Sequence, residues 1–187
     1  MSERTVDRTV PPLGGKGYWD EILYVRKWLQ STGVSFDYFE RQKMELTEQL
    51  GQAPTPADVL WTILQRWVEG SRATGDLETL ENAYHQMATF LYGEGRDFFA
   101  ALGESHRAGL MVAREQGFRE VEIRARRRLD IDTKTFVNVA CAVCVEWQGR
   151  VLTIDDALEQ MPLPNRQCTH EEIVGAPGWC QCLYLPR

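Results

Sequence analysis

All five cysteines of this 187-residue chain fall between positions 141 and 182. They run Cys141-x-x-Cys144, then 23 residues, Cys168-x-His170, then nine residues, then Cys180-x-Cys182. That crowding restricts what the C-terminal quarter can fold around. A secreted disulfide scaffold spreads an even number of cysteines through a short chain. An odd number gathered at one end points to a local metal or redox site instead. Two cysteines separated by two residues can present both sulfurs to one ion from a tight turn. A second cluster roughly 20–40 residues away then closes a tetrahedral site. Thiolates, with or without one imidazole, favour zinc. The candidate ligands are therefore Cys141, Cys144, Cys168, His170, Cys180 and Cys182, six groups for four positions, and zinc is the expected cofactor.

Two other readings of the same cysteines compete. Cysteine is a common buried residue, and the run around Cys141–Val145 is apolar, so the thiols could be inert and packed. A redox Cys-x-x-Cys pair would sit at a helix N-terminus after a strand. Glu146-Trp147-Gln148-Gly149 reads as a turn between strands, with no helix after Cys144, which counts against that reading.

The rest of the chain divides by the period of its apolar residues. Positions 1–17 are polar, with Pro11-Pro12 and Gly14-Gly15, and read as a flexible leader. Helical spacing follows up to about Phe118. Ile22, Val25 and Leu29 mark a first helix, ended by Gly33. Ser35 caps a second, with Phe36, Phe39, Leu46 and Leu50 on its apolar side. Thr55, Pro56 and Asp58 make the start signal of a third, because the Asp58 carboxylate can reach back to free amides. Asp76 caps a fourth, and a fifth runs from about Asp97 to a stop at Gly117. From Glu120 the period becomes two: Val121, Ile123 and Ala125 alternate with charged residues. Thr135–Ala140 and Gly149–Ile154 are further short strands, and Asp155-Asp156 opens a helical turn over Ala157–Met161. The expected class is α+β, with about five helices in a bundle (18–118) followed by a small β-rich zinc-binding module (119–187).

The C-terminal block also resembles something known. Cys141-Ala-Val-Cys144, Trp147-Gln-Gly149-Arg150-Val151, Ile154-Asp155-Asp156-Ala157, Pro162-Leu-Pro164 and the closing Cys180-x-Cys182 pair follow a recurring order. That order ends the minor head, or head-morphogenesis, proteins of tailed bacteriophages and related bacterial proteins of unassigned role. The resemblance covers about Val121 to Pro186, and in that family too a helical region precedes the block. It implies Cys141, Cys144, Cys180 and Cys182 as knuckle cysteines and Gly149 as a turn residue. For the chain as a whole it implies a role in phage or prophage assembly.

Charge and motif searches narrow the function classes. The net charge is −6, so a protein dedicated to nucleic acid is not favoured. The one basic cluster, Arg124, Arg126, Arg127 and Arg128, could bind phosphates, or it could be a solvated strand face paired with nearby Glu and Asp. Phosphate-loop, dinucleotide and nucleophile-elbow motifs are missing from the sequence. Trp147 and Trp179 flank the cysteine pairs and are expected to keep water off the sulfurs. His85 and His106 fall on separate helices without a nucleophile beside them. No segment reads as a signal peptide or membrane span, so a cytoplasmic setting is the expectation. The leading expectation is a non-enzymatic interaction or assembly protein with a protein partner and a structural zinc. The alternatives are a metal-dependent hydrolase or nuclease with Cys/His ligands, and a nucleic-acid-binding module built on the arginine cluster.

Overall fold

The computed structural model describes residues 16–125, 127–129, 136–138, 141–168 and 180–187. The class is α+β. Five helices come first: α1 (Lys16–Thr32), α2 (Phe36–Leu50), α3 (Pro56–Thr74), α4 (Leu77–Gly93) and α5 (Phe99–Glu115). Short elements follow: β1 (Glu120–Arg124), β2 (Arg127–Leu129), β3 (Phe136–Asn138), α6 (Ala142–Trp147), β4 (Val151–Thr153), α7 (Ile154–Gln160) and β5 (Leu183–Pro186). No helix among the described residues is long and apolar enough to cross a membrane. The expected leader lies almost wholly outside the described residues; its last two positions, Lys16 and Gly17, open α1.

The helix ends follow from their capping residues. Ser35 Oγ accepts from the Tyr38 amide at 3.2 Å to start α2, and Gly51 ends it in the left-handed region at φ 67°. Before α3, Thr55 Oγ1 accepts from the Asp58 amide at 3.2 Å while Asp58 Oδ2 accepts from the Thr55 amide at 2.9 Å. That is the reciprocal box the sequence announces. Asp76 accepts from the Thr79 amide at 3.0 Å to start α4.

One compact unit of the chain ends at Ile63 and the other begins at Leu64, within α3. In the first unit, Val25, Trp28 and Leu29 of α1, Phe39 of α2, and Val59, Leu60 and Ile63 of α3 are buried. Phe36 and Leu50, expected on the apolar side of α2, are instead 57% and 51% exposed. They sit at the two ends of the helix, and its buried positions are Phe39 and Gln42 near its middle.

The second unit carries the cysteines. α4 and α5 are paired across the short connection 94–98, and Ser105 Oγ donates to the Glu81 carbonyl at 3.0 Å. β1 is the central strand of an antiparallel sheet ordered β4-β1-β5, and β2 and β3 form a separate antiparallel ribbon. Val121, Ile123 and Ala125 are buried, as their alternation requires. Glu122, on the opposite face, is buried as well, because Arg124 and Arg187 both reach its carboxylate. Val121 packs with Leu110 and Ala113 of α5 and with Ile154 and Ala157 of α7. Ile123 and Ala125 pack instead with Leu163, Cys144, Cys180 and Cys182.

Three local readings of the sequence need correction. Residues after Cys141 form the short helix α6, not only a turn, with Cys141 at its N-cap. The last residues, not read as a strand from the sequence, include strand β5, whose partner β1 is about 60 residues away and invisible to local pattern. The helical turn after Asp155-Asp156 starts earlier, at Ile154, because Thr153 caps it.

Candidate metal centre

Three separate segments of the second unit bring five sulfurs together. The first is α6. Cys141 precedes it, and the Val145 amide donates back to the Cys141 carbonyl at 3.0 Å. One turn of helix is what places Cys141 and Cys144 on the same side. This helix is pinned to β1: Gly149 N donates to the Ile123 carbonyl and Ile123 N to the Arg150 carbonyl, both at 2.9 Å. The Ala125 amide also donates to Gln148 Oε1 at 2.8 Å. Gly149 occupies φ 79°, a left-handed position that suits a residue without Cβ.

The second segment is a turn around Asn165. Its Oδ1 accepts from the Gln167 amide at 2.9 Å, and its carbonyl accepts from the Cys168 amide at 3.1 Å. This is a side-chain-closed turn, and it fixes where Cys168 stands. The third segment is the approach to β5. The Tyr184–Ile123 and Leu183–Arg124 register holds Cys180 and Cys182 against β1.

The sulfurs lie at closely similar separations. Cys141 Sγ is 3.5 Å from Cys168 Sγ, Cys144 Sγ is 3.6 Å from Cys168 Sγ, and Cys144 Sγ is 3.7 Å from Cys180 Sγ. Two triads result, Cys141/Cys144/Cys168 and Cys144/Cys180/Cys182, and within each the sulfurs lie no more than 4.8 Å apart. Cys144 belongs to both. A disulfide would need about 2.05 Å, so these are separate thiols. Metal–sulfur bonds of about 2.3 Å in a tetrahedron put sulfurs about 3.8 Å apart, close to all three distances. The cluster could therefore hold a metal ion.

Burial and charge agree with that capacity. Cys144 and Cys180 are 1% exposed and Cys182 is 2% exposed. Burial pushes the Cys144 thiol well above its ordinary range. Cys180 moves the other way, down to about 5, chiefly because Cys182 donates to its sulfur. The same pairing, aided by burial, raises Cys182. A divalent cation would hold several thiolates at once.

An aromatic side chain covers part of the cluster. Trp147 packs against the cysteine core, and the Arg150 guanidinium lies 4.3 Å from the centre of its ring. This is the packing against the cysteines expected of that tryptophan. Tyr184, also packed there, accepts from the Leu163 amide at 3.2 Å through its hydroxyl, and burial raises its own pKa to about 12.

The remaining sequence candidates are placed as follows. All five candidate cysteines meet at one site. His170, Trp179 and Arg126 lie outside the described residues. Arg127 and Arg128 lie on β2, opposite Asn138 and Val137. Arg124 is engaged within the fold, its Nε 3.1 Å from Glu122 Oε1. His106 meets the Tyr184 ring edge-on at 5.6 Å. It lines a cavity of about 560 Å³, which it shares with Glu81, His85, Tyr184, Cys180 and Cys182. Sequence reasoning missed Asn165 and Gln148. Asn165 carried a signal, since Pro164-Asn165 is a turn dipeptide. Gln148 carried none, because its partner, the Ala125 amide, is distant in sequence.

Comparison of the chain with protein-family models, with curated proteins and with solved structures gives no match.

Proposed function

We propose that Cys144 and three of the other four cysteines, Cys141, Cys168, Cys180 and Cys182, hold one zinc ion as a structural ligand set, and that the chain is a non-enzymatic assembly or interaction protein. The observation that carries this reading is the set of three sulfur separations, 3.5–3.7 Å, drawn from three separate segments. Sulfur-only donors around a buried centre suit zinc held for structure, whereas a hydrolytic zinc keeps a position open for water. The physical need is plain. The elements from 120 onward are three to seven residues long and could bury too little on their own. Zinc bound to a small site is worth about 10–16 kcal/mol and can supply the missing order. The likeness of this block to the tail of phage head-morphogenesis proteins supports an assembly role with a protein partner.

The test is metal analysis of the purified chain beside a thiol count. Near one zinc per chain is expected, falling to background in Cys144→Ser, which removes the sulfur common to both triads. Fully reduced cysteines with no zinc in the unaltered chain would overturn the reading.

A further inference from the structure

The cavity of about 560 Å³ lies against α4, α5 and β5, wholly within the second unit. That volume is enough for a small organic molecule. Two exposed residues on its lining, His85 and Leu183, open it to solutes. Leu102, Leu110 and Val121 give it an apolar wall. Among the described residues its lining holds one carboxylate, Glu81, and neither Lys nor Arg. The packing of α4 on α5 sets that carboxylate beside His106. The Ser105 hydroxyl donates to the Glu81 carbonyl, and Gly109 leaves the carboxylate its room, since a Cβ there would stand 2.9 Å from Glu81 Oε1. Gly109 and His106 are three residues apart and share one face of α5. Among the described residues, no hydrogen bond or ion pair reaches the Glu81 carboxylate or either ring nitrogen of His106. Two polar groups thus line one cavity without a partner there.

We propose that this cavity binds a small organic cation, a primary ammonium carried on a flat apolar body. Burial and the nearby Glu78 raise the Glu81 pKa, as expected of a carboxylate with no cation beside it. Burial also keeps His106 neutral at pH 7, with its pKa down at about 4, so one ring nitrogen can accept a hydrogen bond. An ammonium carries three donors, which the carboxylate and that nitrogen can share. Its apolar body then covers the aliphatic wall. An anionic ligand would meet Glu81 with no Lys or Arg on the lining to offset it. A neutral one would leave the carboxylate unpaired in the space it fills. A metal ion has no ready site there, because among the described residues Glu81, His85 and His106 do not bring their ligand atoms within 4.8 Å of one another. None of these contacts uses a sulfur, so the site stands whether or not zinc is bound.

The experiment titrates the full-length chain at pH 7 with tryptamine, tryptophol and indoleacetate. These carry an ammonium, a hydroxyl and a carboxylate on the same ring system. Calorimetry reads the affinity, and backbone amide shifts read the position. Tryptamine is expected to bind once per chain and about ten-fold or more tighter than either control. The shifts should centre on Ser105–Gly109 and Leu183–Leu185. Glu81→Gln is expected to weaken tryptamine by about ten-fold or more and to leave tryptophol unchanged. Glu78→Gln, an exposed position off the lining, should change tryptamine binding by less than about three-fold. Failure of tryptamine to bind, equal affinity for the three compounds, or shifts that map away from the cavity would overturn the proposal. Equal weakening by Glu78→Gln would overturn it too, by making the attraction one of helix-surface charge. If Glu81→Gln does not fold, the three-compound comparison and the shift map on the unaltered chain decide the matter alone.

Discussion

His106 shows how one side chain can tie the helices to the sheet. It stands on α5, and its ring meets Tyr184 of β5 edge-on. Burial holds its pKa down at about 4, and the nearby His85 adds to the effect. The native state therefore resists a proton that the unfolded chain accepts near the ordinary 6.5. The unfolded state binds more protons between those two values, so stability is full above pH 6.5 and falls as the pH drops toward 4. His106→Phe keeps the ring contact and removes the titration. Chemical denaturation at pH 7 and pH 5 is expected to cost the unaltered chain about 1–2 kcal/mol more than the variant, allowing for partial solvation. Parallel losses in the two proteins would show that His106 is not the titrating group. At this scale the sequence was informative about identity and silent about pairing. The cysteines stood out by spacing alone. The burial of Glu122 did not, because it depends on Arg187, more than 60 residues away.

Among the elements, α7 gives the sharpest case. Thr153 Oγ1 accepts from the Asp156 amide at 3.1 Å and donates to Asp156 Oδ2 at 2.6 Å. The helix is seven residues long, too short to hold itself. Its start is therefore fixed by this cap and by Ile154 and Ala157 packing against Leu110 and Ala113. Thr153→Ala is expected to lower stability by about 1 kcal/mol, read as a shift in the denaturation midpoint. Zinc content should not change, since α7 supplies no cysteine. Loss of zinc in this variant would show that α7 and the metal centre are coupled more tightly than their separate cores suggest. The long helices were legible because caps and apolar stripes repeat over many turns, as at Thr55 and Asp58. The short elements were not. α6 has six residues and no polar side-chain cap, and β5 is stabilised by pairing with β1 rather than by its own sequence.

For the molecule as a whole, the metal reading makes an uneven prediction. β1 lies between two cores: Val121 belongs to the one built on α5 and α7, while Ile123 and Ala125 belong to the one containing Cys144, Cys180 and Cys182. Removing the ion leaves buried thiols without their common partner, and the second core should loosen first. The helical first unit has its own buried residues and none of the cysteines. Amide hydrogen exchange before and after chelation tests this directly. Protection is expected to drop in α6, in the turn at Asn165–Cys168 and in β5. Amides of α1 and α2 should keep theirs, and Val121 should fall between the two. Uniform loss along the chain would mean that the zinc organises the entire fold. Unchanged exchange around Cys144 would mean that the cysteine core stands by packing alone, as a plain apolar cluster whose sulfurs happen to meet.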